Sequence, residues 1–167
     1  MARGSAEGSS GSGRRGARRA RGRAVRFWDS SAIVPLLVAQ PDSSAADRWL
    51  DEDGAIAVWT LTPIEVASAV RRLVREGAMS EAEADAAERR TEELVRASHV
   101  VVDVEAVKLR AMRLLRLHAL RAADALQLGA AVEWAVGRPE DRIVHTFDGR
   151  LAAAARREGF RVIPPPP

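Results

Sequence analysis

Short apolar runs that end abruptly at a polar residue alternate along this chain with longer segments of helical periodicity. The runs predict five strands, at residues 25–28, 55–59, 99–103, 142–147 and 160–163. Because a helical segment separates consecutive strands, we expect the strands to pair in parallel through right-handed crossovers. The sequence therefore predicts an α/β fold of three layers, with helices on both faces of a parallel sheet of four or five strands.

Seven helices are predicted from apolar periodicity and from residues that start or stop a helix. They span residues 30–38, 43–51, 63–76, 80–97, 104–117, 122–136 and 150–158. Pro41 separates the first two, Gly77 ends the third, and Ser80 followed by acidic residues begins the fourth. The order of elements is therefore predicted without any knowledge of contacts.

Composition limits the chain to one domain with terminal segments. Of 167 residues, 47% are hydrophobic, which is enough for a core, and we expect this domain to span residues 25–163. Residues 1–24 are mainly Gly, Ser, Ala and Arg, so we expect them to be disordered and dispensable for folding. The prolines of residues 164–167 cannot extend a helix or strand.

Several classes of protein are excluded or disfavoured by composition. The chain has no cysteine, so neither a disulfide framework nor a thiolate metal site can form. Its longest unbroken apolar run, residues 32–39, is shorter than the about 20 residues that cross a bilayer. We therefore expect no membrane association and a cytoplasmic location.

The basic character of the chain belongs to its N-terminal segment. The first 26 residues hold eight Arg and one Glu, and removing their charge of +7 from the net charge of +3 leaves −4 for the rest. The segment would bind nucleic acid without sequence preference. The mildly acidic domain would need metal ions, and local Arg residues, to accept a phosphate backbone.

Four acidic residues lie where the predicted elements meet one edge of the sheet. Asp29 and Asp148 directly follow apolar strands, and Glu65 and Asp124 lie in the first turns of apolar helices. The carboxyl ends of parallel strands face one crevice, so these side chains should converge there. Unpaired carboxylates are unfavourable unless cations fill the site, and oxygen ligands favour Mg²⁺, with Mn²⁺ as an alternative. This arrangement suits metal-assisted phosphodiester cleavage.

Each of these acids also has a purely structural explanation. Asp29 and Asp148 can cap helices, Asp124 can be a first-turn acid that the helix dipole favours, and Thr62 with Glu65 fits a capping box. Caps do not explain why two of the acids follow apolar strands. The metal site is therefore our interpretation of the four residues taken together.

The stretches that contain these acids are DSSAIVPLL, TPIEVASAVRR, LRAADALQLGAA and TFDGRLAAAARREGF, in that order. Together they resemble the PIN-domain ribonucleases, and most closely the VapC-type toxins of type II toxin–antitoxin systems. The order and spacing of all four stretches carry the resemblance, which extends from residue 26 to residue 163. Gly129 departs from the family pattern, in which Ala is frequent, and the difference concerns helix packing.

The resemblance implies a Mg²⁺-dependent endoribonuclease that acts as a toxin on RNA. Asp29 and Asp124 would be the main Mg²⁺ ligands, and Glu65 and Asp148 would complete the pocket directly or through water. The resemblance also implies a cognate antitoxin protein that blocks the pocket, and a homodimer.

Three further residues are candidates for contacts around the metal. The hydroxyls of Ser30 and Thr146 can hydrogen-bond a water molecule or a phosphate, and Arg121 can contact a phosphate. A serine nucleophile is not expected, because the chain lacks the G-x-S-x-G turn. The histidines lack the spacing of metal ligands: His99, His118 and His145.

The first two predicted helices carry more apolar side chains than a small sheet need cover: Leu36, Leu37, Val38, Trp49 and Leu50. We expect some of them to form an exposed groove. Antitoxins of the family type place an amphipathic segment in such a groove.

Three other functions stay open at this point. One is a nuclease of the same fold without a toxin role, and another is a nuclease that acts on DNA, because the metal site does not read the 2′-hydroxyl. The third is a catalytically inactive module that binds nucleic acid through its Arg-rich segment. Removal of residues 1–24 separates this module from the nucleases, because a nuclease would keep its cleavage and the module would lose its function.

Overall fold

One parallel sheet of five strands organises the chain. The computed structural model describes residues 25–165, so the predictions for residues 1–24 and 166–167 lie outside it. The strands are β1 (Val25–Trp28), β2 (Ala55–Trp59), β3 (His99–Val101), β4 (Ile143–His145) and β5 (Arg161–Ile163). Their order in the sheet is β3-β2-β1-β4-β5, and every neighbouring pair is parallel. The predicted fold class is therefore confirmed, with five strands.

Three strands are shorter than predicted: β3, β4 and, by one residue, β5. For β3 and β4 the reason matters to the site. β3 ends before Asp103, whose side chain caps the next helix by accepting a hydrogen bond from the Ala106 N–H at 2.9 Å. β4 ends before Thr146, whose hydroxyl turns to Asp29. After each of these strands a polar side chain forms a hydrogen bond with a neighbouring segment.

Within residues 25–165 the seven predicted α-helices are present, and their ends differ from the prediction by at most one residue. They are α1 (Ser30–Leu37), α2 (Ser43–Glu52), α3 (Thr62–Arg75), α4 (Glu81–Arg96), α5 (Val104–Leu117), α6 (Ala122–Ala135) and α7 (Gly149–Arg157). A short 3₁₀ turn at Pro139–Asp141 was not predicted, because three residues are too few to show periodicity. None of the helices in this range is both long and apolar enough to cross a membrane.

Hydrophobic cores lie on both faces of the sheet, as predicted. The core under α1 to α4 contains Trp28 and Val58 from the strands, and the core under α5 to α7 contains Phe27 and Val144. Successive residues of one strand, such as Phe27 and Trp28, therefore point to opposite cores. Most strand residues are apolar because helices cover both faces of the sheet.

The connections between strands place a crevice between β1 and β4. The chain leaves β1 towards β2, whereas it leaves β4 in the opposite direction, towards β5. Neighbouring strands with connections that diverge in this way open a crevice at their carboxyl ends. Asp29 directly follows β1 and Thr146 directly follows β4, so both lie at this crevice.

Gly129 allows the two helices α5 and α6 to pack closely. A Cβ atom added at this residue would lie 2.9 Å from the carbonyl oxygen of Val107 and 3.2 Å from the amide nitrogen of Ala111. Both are backbone atoms, which cannot move aside as the end of a flexible side chain can. The departure at Gly129 therefore concerns helix packing, as expected.

We predict that Gly129→Ala destabilises the domain. Alanine improves helix propensity by about 1 kcal/mol, but overpacking against backbone costs about 1 to 3 kcal/mol. The expected net loss of about 1 kcal/mol corresponds to a melting temperature roughly 3 °C lower. Gly149→Ala is the control, since nothing lies within 4 Å of a Cβ there. Equal melting temperatures for the two variants, measured by circular dichroism, would contradict the prediction.

Candidate active site

Asp29 is a buried carboxylate at the end of β1. The residue is 3% exposed, and its backbone N–H donates to the His145 carbonyl at 3.0 Å. Oδ2 accepts hydrogen bonds from the Ser31 N–H (3.2 Å), the Ser31 hydroxyl (2.5 Å) and the Thr146 hydroxyl (2.9 Å). Oδ1 has a single long contact among the described residues, 3.4 Å from the Ser30 hydroxyl. One oxygen is thus saturated with donors while the other keeps most of its capacity.

Glu65 does not form the predicted capping box. Thr62 is already the first residue of α3, so its side chain is not in the cap position, and no side chain caps this helix. The Glu65 Oε2 atom instead accepts hydrogen bonds from the Ser30 hydroxyl at 2.6 Å and from the Gln127 amide at 3.0 Å. The Ser30 hydroxyl therefore lies between two carboxylates, those of Glu65 and Asp29.

Asp124 and Asp148 both bond to the starts of helices. Asp124 Oδ2 accepts a hydrogen bond from the Arg121 N–H at 3.1 Å. Asp148 Oδ1 accepts from the N–H groups of Arg150 and Leu151, each at 2.8 Å. Asp148 therefore has the capping role considered for it, and Asp124, considered as a first-turn acid, also bonds the N-cap residue of its helix. In each case the bonds engage one oxygen of the carboxylate and leave the other for a further ligand.

The four acids form one electrostatic cluster. Burial raises the pKa of Asp29, hydrogen bonds from Ser31 and Thr146 oppose that shift, and the charge of Asp148 adds to it. Burial likewise raises the pKa of Glu65, and the charges of Asp29 and Asp124 add to that shift. The charges of Asp29, Asp124 and Asp148 thus each make ionisation of a neighbouring acid less favourable.

The described residues offer these carboxylates hydroxyl, amide and N–H donors but no ion pair. No Arg or Lys side chain between residues 25 and 165 forms a salt bridge with Asp29, Glu65, Asp124 or Asp148. An oxygen-only donor set with uncompensated negative charge fits a hard divalent cation. In the same part of the chain, however, no three acidic or histidine side chains stand in an arrangement ready to hold a metal ion. Ligation of Mg²⁺ therefore stays a prediction.

The residues expected around the metal divide into two groups. Ser30 and Thr146 contact the carboxylates directly, as their bonds to Glu65 and Asp29 show. Arg121 contributes its backbone N–H to the bond with Asp124, and its exposed side chain makes no contact in the cluster that would identify a role. The phosphate contact of Arg121 stays a prediction.

Gln127 was missed by the sequence analysis. It is 1% exposed, and its amide donates to Glu65 and, at 3.3 Å, to the Thr62 hydroxyl. The available signal was its spacing, because a polar residue three positions after Asp124 shares a face with it on an otherwise apolar helix. The pairing of Gln127 with Glu65, 62 residues earlier in the chain, has no such signal in the sequence.

We predict that Asp29→Asn stabilises the metal-free protein at neutral pH. Because the folded-state pKa of Asp29 is raised, folding favours the neutral carboxyl, so this contribution is present at low pH and is lost as pH rises through the raised pKa. Asparagine is neutral throughout. We therefore expect a higher melting temperature than wild type at pH 7.5 with chelator, and a difference that shrinks towards pH 4.

The control for this prediction is Asp103→Asn, an exposed cap outside the cluster. Asparagine caps a helix about as well as aspartate does, so this change should leave the melting temperature nearly unchanged at both pH values. If Asp29→Asn also leaves the melting temperature at pH 7.5 unchanged, or lowers it, the cluster does not carry the repulsion inferred here.

Comparisons with known proteins agree with the fold and identify a family. A family model described as PIN domain matches residues 26–157. Two proteins of Mycobacterium tuberculosis, named Ribonuclease VapC45 and Ribonuclease VapC49, are each 36% identical over 138 residues, which is 83% of this chain and 94% of theirs. The crystal structure of PAE2754 from Pyrobaculum aerophilum matches with a TM-score of 0.58 and 21% identity, over 83% of this chain and 90% of that one. FitAcB from Neisseria gonorrhoeae matches with a TM-score of 0.57 and 16% identity, over 83% and 96%. The two structures share the fold.

Proposed function

The chain belongs to the PIN-domain family, with VapC-type ribonucleases among its relatives, and on this basis we propose that it is a Mg²⁺-dependent endoribonuclease that acts as the toxin of a toxin–antitoxin pair. One observation carries the catalytic part of the proposal. Each of the four acids is held through one carboxylate oxygen, and the other oxygen has no short hydrogen bond among residues 25–165. A cation could use these oxygens without breaking the bonds that hold the side chains.

The residues divide the work in this proposal. Asp29 and Asp124 would be the main ligands, and Glu65 and Asp148 would bind directly or through water. Mg²⁺ would lower the pKa of a water molecule and offset the charge that develops on the phosphate.

The neighbouring side chains would orient the ligands through hydrogen bonds. Thr146 and Ser31 hold Oδ2 of Asp29, and Ser30 and Gln127 hold Oε2 of Glu65, so the two remaining oxygens are directed by fixed bonds. The serine hydroxyls are engaged by carboxylates rather than by a histidine base, which argues against a serine nucleophile. Binding of Mg²⁺ would also offset the negative charge of the acidic cluster, so that RNA phosphates could approach it.

We predict that Asp29→Asn and Asp124→Asn each abolish divalent-dependent RNA cleavage. Each change keeps the shape of the side chain and removes the charge that would hold Mg²⁺. The expected loss is at least about a hundredfold in kcat. The measurement is cleavage of total RNA by the purified protein with Mg²⁺, and chelator should remove the wild-type activity.

The matched control is again Asp103→Asn, since Asp103 also caps a helix but lies outside the cluster. It should cleave within about twofold of wild type. Wild-type rates for Asp29→Asn would refute the site assignment, and cleavage that resists chelator would refute the metal.

A groove supports the proposal of an antitoxin partner. It has a volume of about 430 Å³ and lies between α1, α2 and α4, beside the start of β2. Leu36 and Leu37 form part of its wall but are only 8% and 9% exposed, whereas Leu50 is 37% exposed. Trp49 is not among its lining residues, because its ring stacks on Phe147 at 5.0 Å. The expected groove is therefore present, but only three of the five apolar residues expected to form it line it: Leu36, Leu37 and Leu50.

A second apolar surface supports the proposal of a homodimer. The exposed large hydrophobic residues of the described chain are concentrated on or beside α5: Val102, Val104, Leu109, Met112, Leu115 and Leu117. Leu109 is 71% exposed. A concentration of exposed apolar side chains in one part of a surface is typical of a protein interface. It lies on the opposite side of the sheet from α1 and α2.

We predict that the two surfaces bind different partners and can be separated by mutation. Leu50→Arg should prevent co-purification with the product of the adjacent small gene and leave the oligomeric state unchanged. Leu109→Arg should yield a monomer that still binds that product. Light scattering and co-purification measure the two properties, and each variant is the control for the other. A monomeric wild-type protein that is harmless when expressed alone would instead favour a nuclease without a toxin role.

A further inference from the structure

A buried carboxylate outside the acidic cluster, that of Asp53, contacts both β1 and β4, the two strands that end beside Asp29 and Thr146. The Asp53 side chain is fully buried between α2 and β2. Arg26 Nη1 lies 2.7 Å from its Oδ1, and the Trp28 indole N–H donates to its Oδ2 at 2.8 Å. His145 Nε2 lies 3.1 Å from the same Oδ2. Of these three contacts only the one from Trp28 has hydrogen-bond geometry, whereas the Arg26 and His145 nitrogens approach the carboxylate without it. The buried carboxylate therefore depends on all three neighbours for compensation of its burial.

The His145 ring is also held by aromatic neighbours. Its centroid lies 4.6 Å from that of Trp28 and 4.9 Å from that of Trp49, with the latter pair stacked. Trp49 stacks in turn on Phe147. The ring is completely buried. Sliding of β4 along β1 would therefore break the contact with Asp53 and the stacking on both tryptophans.

Both strand ends that Asp53 joins continue directly into the candidate active site. Trp28 is followed by Asp29, and His145 is followed by Thr146, which donates to the Asp29 carboxylate. The His145 carbonyl accepts the Asp29 N–H. A single oxygen, Oδ2 of Asp53, thus contacts the residue before each of these two partners.

We propose that Asp53, acting with His145, is a positioning residue that sets the relative placement of Asp29 and Thr146. This inference rests on the proposed function, because the consequence of the placement is catalytic. Displacement of a reacting group by about 1 Å can lower a rate by roughly a hundredfold, so a contact at this position is effective although it touches no substrate. Asp53 also lines the groove, so the same contact connects the floor of the groove to the active site.

The competing explanation is that the contacts of Asp53 only stabilise the fold. The chain contains a matched control for this explanation. Glu158 also contacts one Arg and one His, namely Arg113 and His118 (His118 Nε2 to Oε1, 2.8 Å), but it joins α5 to the end of α7. Removal of either carboxylate breaks one similar cluster, and only one of the two clusters adjoins Asp29.

The experiment compares Asp53→Ala, Asp53→Asn and Glu158→Ala in the full chain. We expect Asp53→Ala to lower kcat for RNA cleavage by about tenfold or more with KM within about twofold, and Asp53→Asn to recover most of that loss. Glu158→Ala should keep kcat within about twofold at a temperature where all variants are folded. If Asp53→Ala does not fold, His145→Leu takes its place, with the same expectation.

A second measurement does not depend on cleavage. Hydrogen exchange of the Asp29 amide, which donates to His145, should be about tenfold faster in Asp53→Ala and unchanged in Glu158→Ala. Unchanged exchange in Asp53→Ala would overturn the inference, as would equal loss of kcat in the two Ala variants. If the wild type cleaves no RNA but the difference in exchange is present, the proposed function fails and the positioning of Asp29 stands.

Discussion

The uncompensated negative charge of the Asp29 carboxylate is the constraint on which the rest of this structure depends. The residue is buried at the end of the central strand, and only hydroxyl and N–H donors reach its carboxylate among the described residues. Those donors come from the start of α1 and the exit from β4, so three segments must meet at one point. A carboxylate held in this way is unfavourable in the metal-free protein and favourable towards a cation. Stability and function therefore oppose each other at this residue.

Helix capping and the candidate site are two uses of the same side chains. Asp29, Asp124 and Asp148 each bond a helix start through one oxygen. The N-terminus of a helix favours a negative charge, which offsets part of the repulsion among the acids. The fold thus reduces the electrostatic cost of collecting carboxylates by placing them at helix starts. The structural and the functional explanations of these residues are compatible, because a carboxylate has two oxygens.

The surfaces of the domain are separated by the sheet. The groove lies with α1, α2 and α4, and the exposed apolar residues of α5 belong to the layer on the other face. A partner on one surface would therefore not compete sterically with a partner on the other. Asp53 connects the groove to the strand ends of the site, so the two are adjacent although no residue of the acidic cluster lines the groove.

Local patterns were enough to predict the order of the strands and helices and their parallel pairing, because periodicity is a property of neighbouring residues. The four acids were placed at one edge of the sheet by the same reasoning, and their joint role as a metal site stays a prediction. Local patterns were not enough for the partners of those acids. Glu65 fits a capping box in the sequence, yet its carboxylate bonds Ser30 and Gln127, which lie 35 and 62 residues away. The joining of β1 to β4 through Asp53 likewise left no trace in the spacing of residues. Which polar groups are buried together depends on the packing of distant segments, and only the tertiary structure decides it.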